Sequence, residues 1–187
     1  MRIFEYIADR LIARAKRTPY SHIINGVGLT QNPDEADYME RYWLFNPYES
    51  SAGGKPIKWL PSVRIHRIKK SDDDRALHDH PWRFVTVILK GGYYEVRPVY
   101  GDRYTEQETG CPLRMQGVIR HESKWHGPGS ILIRSHKDFH RLVVPEGGEA
   151  WTMFTTGKYL HKWGFLHRDS YKIAYDTYLK VFGKRAG

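Results

Sequence analysis

The sequence predicts an all-β barrel or sandwich with a helix at each end. Three observations carry this. Short runs with alternating or aromatic-rich character recur across residues 38–167. Gly, Pro, Asn and Ser clusters separate them. Helical spacing of apolar residues is confined to 2–17 and 170–182. A chain of 187 residues without internal repeats fits one domain, 1–187.

Ile3, Phe4, Ile7, Leu11, Ile12 and Ala15 repeat at helical spacing, which predicts a helix over 2–17. Arg10, Arg14, Lys16 and Arg17 crowd its later turns, where cations complement the helix dipole, and Thr18-Pro19 stops it. Residues 41–45 read as an aromatic-rich strand ended by Asn46-Pro47, and 49–56 as a Ser/Gly loop. Residues 62–68 alternate apolar with polar, as a half-buried strand does. A charged turn with Asp72-Asp73-Asp74 follows. Residues 84–89 and 93–99 flank Gly91-Gly92, a hairpin signal. Further strand candidates are 117–122, 130–134, 141–144, 150–155 and 162–166. Ile173, Tyr175, Tyr178, Leu179 and Phe182 form an apolar stripe that predicts a helix near 170–182, stopped by Gly183 before a Lys184-Arg185 tail.

Net charge is +9, which favours anionic partners: nucleic acid, phosphorylated ligands or acidic surfaces. The charges are dispersed, so nucleic acid is not the favoured partner. No apolar run approaches a membrane span and no secretory pattern opens the chain. A single cysteine, Cys111, cannot form an internal disulfide, which suits a reducing, cytoplasmic setting. P-loop, dinucleotide-binding and nucleophile-elbow motifs are all missing.

His78-Asp79-His80 carries the most chemistry. Histidines at i and i+2 on a strand share a face, and His140 follows a glycine-led strand from Gly129. Three imidazoles gathered inside a β barrel point to one divalent metal ion. His136 competes with His140, while His121 and His126 are runners-up.

The pattern resembles the cupin superfamily, a double-stranded β-helix or jelly roll. His78 and His80 match the first motif's His-x-His pair, and Gly91 its closing glycine. Gly129 and His140 match the ends of the second motif, with Ser135 at its proline position and Lys137 at its inner glycine. The likeness extends to cupin-like proteins of phages and bacteria through His78-Asp79-His80-Pro81-Trp82, Gly91-Gly92-Tyr93, His140-Arg141-Leu142, Trp151-Thr152-Met153-Phe154 and Trp163-Gly164-Phe165. It implies a cupin barrel over 38–167 and a metal held by His78, His80 and His140. Phe84 or Val85 stands where cupins place a glutamate ligand. A site of three neutral histidines is similar to that of cupin thiol dioxygenases. It implies a small-molecule oxygenase with Fe(II) favoured and Zn(II), Ni(II) or Mn(II) as other occupants. The resemblance also leaves open a nucleotide-sugar epimerase, and the charge leaves open a non-enzymatic module binding a nucleotide or nucleic acid.

A two-residue turn at Gly91-Gly92 would pair Glu95 with Ile88 and turn Glu95 and Arg97 inward. Glu95 is then a fourth ligand, a general base or a partner of Arg97. Glu95, Arg97 and Tyr93 are the expected catalytic side chains. Trp82, Arg134, Arg141 and Trp151 are the expected substrate-binding ones, through stacking and bidentate anion contacts. Asp79 either orients an imidazole or is solvated. Open sheet edges and large apolar faces, covered in trans by the terminal helices, predict a homodimer.

Overall fold

Strand 62–68 alternates as a half-buried strand should, yet its polar members face the interior. Ser62, Arg64 and His66 are buried, and Ile65 on the other face is fully covered as well. Both faces are covered because the strand is central in one layer of a two-layer β sandwich and carries a helix on its outer side. The computed structural model describes residues 3–17, 21–25, 28–30, 38–47, 57–72, 76–106, 112–168 and 171–182. The Thr18-Pro19 stop, the 49–56 loop, Asp73, Asp74, Cys111, Gly183 and the Lys184-Arg185 tail lie outside the described residues.

The elements in chain order are α1 (Ile3–Ala15), β1 (Ser21–Asn25), β2 (Gly28–Thr30), β3 (Met39–Phe45), β4 (Ser62–Ile68), β5 (Phe84–Gly91) and β6 (Tyr93–Glu106). There follow β7 (Pro112–His126), β8 (Ile131–Arg134), β9 (Arg141–Val143), β10 (Ala150–Thr156), β11 (Gly164–His167), β12 (Tyr171–Ala174) and α2 (Tyr175–Phe182). The first layer is a seven-stranded antiparallel sheet, ordered β2-β1-β3-β4-β10-β5-β8. The second layer holds β7-β6-β9 and β11-β12. His78 joins these two pieces by bridging His140 on one side and Phe165 on the other. The His78 N–H donates to the His140 carbonyl and the His140 N–H donates to the His78 carbonyl, both at 2.9 Å. From β4 to β11 the chain alternates layers at nearly every connection, the signature of a jelly roll.

The interior face of the first layer is ordered in rows. One runs Arg41, His66, Thr152, Ile88; the next runs Trp43, Arg64, Phe154, Thr86, Leu132. A third holds Ser62, Thr156, Phe84 and Arg134. Met39, Ile68, Ile88, Tyr93, Leu132, Leu142, Val144 and Ala150 close one end as an apolar core. On the outer face, Ala8, Ile12 and Ala15 of α1 pack on Ile65, Leu89 and Trp151, in keeping with the apolar spacing in the sequence.

Two local expectations need correction. Gly91-Gly92 is not a hairpin turn: β5 pairs with β10 and β8, while β6 pairs with β7 and β9. The glycines carry the chain from one layer to the other. Gly91 has φ +66, and a Cβ there would stand 1.8 Å from the Glu149 carbonyl oxygen, so the corner is closed by another strand's backbone. The C-terminal helix is also shorter than expected. Its first residues, Tyr171–Ala174, pair with β11, and helix begins only at Tyr175. The segment between the two histidine motifs forms the long β6–β7 ribbon, pairing from Tyr93↔His126 to Glu106↔Pro112. Among the described residues, no helix is long and apolar enough to cross a membrane.

Gly91 and Gly147 have nearly the same φ, but nothing stands within 4 Å of a Cβ at Gly147. Gly147→Ala should cost about 1 kcal/mol, the left-handed backbone penalty alone. Gly91→Ala should cost clearly more, because the backbone of Glu149 must also move. Urea unfolding of the two variants checks the order.

Candidate metal centre

The backbone bridges at His78 decide where the imidazoles go. His140 lies directly across from His78, and His80 follows on the same face by strand alternation. The three rings stand at nearly equal separations, with centroids 5.0, 5.1 and 5.2 Å apart. One nitrogen from each falls within 4.8 Å of the others. The Nε2 atoms of His80 and His140 are 2.9 Å apart. Two neutral imidazoles share such a gap as donor and acceptor, or as two ligands of one ion. With metal–nitrogen bonds of about 2.0–2.1 Å, two ligands at right angles stand about 2.9 Å apart. The donor set and its spacing therefore fit a divalent cation.

The protonation states fit as well. Burial holds His80 well below the ordinary imidazole range, and the neighbouring His140, His78, Arg64 and Arg41 act in the same direction. The ring is neutral at physiological pH, as a ligand must be. His140 Nδ1 lies 3.0 Å from Glu95 Oε1. The carboxylate is 1% exposed. Burial alone would raise its pKa, but hydrogen bonds from His140 and Arg134, with their charges, hold it well below the usual carboxylate range. An ionised acceptor at Nδ1 places the proton there and leaves Nε2 free to ligate. Arg134 grips Glu95 with a two-pronged fork, Nε to Oε1 at 2.9 Å and Nη2 to Oε2. His126 Nε2 stands 3.3 Å from Oε2.

Two further carboxylates fix the histidine strand. Asp72 is buried, accepts the Leu142 N–H at 2.7 Å and the Tyr38 hydroxyl, and lies 3.9 Å from His78 Nδ1. Asp79 points away from the three rings, yet it is buried rather than solvated. It accepts the Gly164 N–H at 2.7 Å and the Lys172 ammonium at 2.6 Å. Lys172 also donates to the Lys162 carbonyl and to His161 Nδ1, and His161 Nε2 donates to the His80 carbonyl. The ammonium of β12 thus ties the C-terminal segment to the ligand strand.

Of the two residues offered for the glutamate position, Phe84 is the one whose ring meets the histidines. Its ring is 4.6 Å from that of His80 and 4.9 Å from that of Phe154. The fourth side of the cluster is an aromatic wall.

The other expected residues disperse. Glu95 does face inward, but from a different pairing than expected: it is opposite Lys124 and Leu142, not Ile88. Its oxygens engage His140 and Arg134, so it stands behind a ligand and is not among the ligating atoms. Tyr93 is buried in the apolar core, where burial and then the charge of Glu95 push its pKa above the ordinary phenol value. Arg97 is 41% exposed and pairs with Asp138 at 3.3 Å. Arg134, expected to bind substrate, is taken up by Glu95. Arg141 lies one residue beyond His140 and so faces the other side of its strand. Trp151 lies on the outer face beneath α1, its indole N–H donating to Glu149, because it is out of phase with inward Thr152 and Phe154. Trp82 stays near the interior, 5.6 Å from the Arg64 guanidinium. His136 stacks edge-on to His161 and His121 is exposed; neither joins the three-histidine group.

No protein-family model matches the chain, and no curated protein matches it in sequence. Its fold matches solved structures. The DMSP lyase DddQ from Ruegeria pomeroyi aligns with TM-score 0.54 at 13% identity, over 91% of this chain and 72% of that one. An RmlC-like cupin from Ralstonia eutropha aligns with TM-score 0.42 at 13% identity, over 82% and 81%. The polyketide cyclase RemF from Streptomyces resistomycificus aligns with TM-score 0.44 at 15% identity, over 71% and 75%. The chain shares its fold with DddQ, and its own His78, His80, His140 group could hold a metal ion.

Two outcomes test the centre. Glu95→Gln keeps the shape but loses the charge that holds the His140 tautomer; metal affinity should fall about 10–100-fold, read by competition with a chelating dye. The second concerns pH. His66 and His80 are both held well below the ordinary imidazole value, with burial the first cause for each. The unfolded chain binds protons near pH 6.5 that the folded chain refuses. Stability is therefore complete above about pH 6.5 and drains away as pH falls below it. Thermal unfolding of metal-free protein between about pH 7.5 and 5.5 should show this decline, and His66→Gln should flatten it.

Proposed function

We propose that this chain is a metal-dependent cupin enzyme that performs oxygenase chemistry on a small molecule, with Fe(II) as the working ion. The observation that carries the reading is the gathering of His78, His80 and His140 with the Phe84 ring, not a carboxylate, beside them. Three neutral ligands leave a 2+ ion its full charge and leave coordination positions open for substrate and oxygen.

The chain's own groups do the rest. Glu95 fixes the His140 tautomer and ring angle, and Arg134 holds Glu95 in turn. Phe84 and Phe154 keep one side of the cluster dry, which strengthens electrostatic contacts inside. The epimerase alternative needs an acid and base pair at the site. Glu95 is committed to Arg134 and His140, and the raised pKa of Tyr93 makes it a weak acid. Both points favour the metal reading.

The test is oxygen uptake by protein loaded anaerobically with Fe(II), screened against small organic acids, thiols and sugars. The expected result is substrate-dependent oxygen consumption that His80→Ala abolishes and that Zn(II) loading does not support. Turnover without oxygen consumption, equal with Zn(II), would replace the oxygenase with a redox-neutral Lewis-acid enzyme.

A further inference from the structure

The corner where Gly91 and Gly92 carry the chain between layers also floors a cleft. Its volume is about 420 Å³, and Trp125, Lys90, Gly148 and Glu149 stand around it. The cleft is remote from the three histidines. Phe84, in ring contact with His80, begins β5, and Gly91 ends it. An extended strand of that length holds the two roughly 20 Å apart. The indole of Trp125 is 45% exposed, yet it is fixed in place. Tyr94, its direct cross-strand neighbour, holds it with ring centroids 5.0 Å apart. A Cβ at Gly92 would stand 2.6 Å from the indole Cζ2, and one at Gly127 would stand 3.0 Å from Nε1. The ring therefore rests on bare main chain at two places, and a side chain at Gly92 would displace it. A flat apolar surface that is already ordered loses little entropy when a ligand stacks on it.

We propose that this cleft is a second binding site, which takes a neutral hexopyranose ring stacked on Trp125. The inference goes beyond the metal-enzyme reading and stands without it. The charges at the rim select the ligand class. Glu149 accepts the Arg67 Nε–H at 2.7 Å on one oxygen and the Trp151 indole N–H at 2.9 Å on the other. Its charge is compensated and its position fixed, while each oxygen keeps a lone pair for a further donor. The Lys90 ammonium lies 3.8 Å from Asp9, in an exposed pair that leaves it donors to spare. Each charge at the rim thus has its counter-charge beside it, so the cleft presents hydrogen-bonding groups without a net field. An anion is opposed by Glu149 and a cation by Lys90. What fits is an uncharged molecule with one apolar face and groups around its edge that both donate and accept. A pyranose has this form: its ring C–H groups lie on the indole, one hydroxyl donates to Glu149, and others accept from Lys90 and the indole N–H. The volume matches a small-molecule site.

The test presents the full chain with the methyl pyranosides of glucose, galactose, mannose and N-acetylglucosamine. Glucose 6-phosphate, phenylalanine and adenosine 5′-monophosphate are the charged and aromatic comparisons. Binding is read by saturation-transfer NMR, and folding of each variant by thermal unfolding. Saturable binding of at least one neutral pyranoside is expected, with the protons of one ring face receiving most of the saturation. Trp125→Ala should abolish the signal. Lys90→Met and Glu149→Gln should each weaken binding about fivefold, the worth of one hydrogen bond. Metal-free and Zn(II)-loaded protein should bind alike, because the cleft is remote from the histidines. If Trp125→Ala does not fold, Lys90→Met, on an exposed side chain, and Glu149→Gln carry the test. Failure of all four pyranosides to bind overturns the site, as does binding that persists undiminished in the folded variants. Trp125-dependent binding of phenylalanine or of the nucleotide, with the pyranosides inert, overturns the sugar assignment. Any of these failures leaves the metal centre standing, and absence of zinc uptake leaves the sugar site standing.

Discussion

An ionised carboxylate in the middle of a protein must be compensated, and Glu95 sets the terms on which the two layers meet. It sits on β6 in the second layer. Arg134, its bidentate partner, comes from β8 at the edge of the first. His140, its other partner, leads into β9. One buried charge therefore spans the sandwich, closes it around the interior and aims the Nε2 of a ligand at its neighbours. Removing one member of such a set leaves the others buried and unpaired, which costs several times the net worth of the pair.

The ligand strand is held from the opposite side by an independent device. Asp79, Lys172 and His161 join the histidine motif to β11 and β12, so the two ends of the second layer converge on the same few residues. His78 and His140 exchange backbone hydrogen bonds across that strand pair. The imidazole positions thus follow from backbone pairing, and their orientation from buried carboxylates behind them. Such backing would hold the three rings in place for a metal ion.

Much of this was legible in the sequence. Period-two alternation and glycine punctuation gave the β class, and His-x-His at strand spacing gave two imidazoles on one face. His140 was placed by its distance from Gly129. What pattern could not supply was partner strands. Gly91-Gly92 reads as a hairpin by local chemistry, but the glycines turn a corner between layers because the Glu149 backbone leaves no room for a side chain. Glu95 was rightly placed inside, though its pairing was not. The burial of Arg64 and His66 was hidden by the alternation itself. A half-buried strand shows its apolar side to the core, whereas β4 is covered by α1 on one face and lines a polar interior with the other. Trp151 misled in the opposite way, since an aromatic beside the motif packs under a helix. The ligand's second contact, Glu95, carries no spacing signal, because its link to His140 and Arg134 exists only once β6, β8 and β9 are assembled.

Anomalous diffraction from crystals of the zinc-loaded protein tests the metal centre most directly. One strong peak is expected, with the Nε2 atoms of His80 and His140 and a nitrogen of His78 at about 2.0–2.1 Å, and with Glu95 hydrogen-bonded to His140 behind it. A peak at His136 and His161, an ion bound through the carboxylate of Glu95, or no ordered ion between the three imidazoles would contradict a three-histidine site.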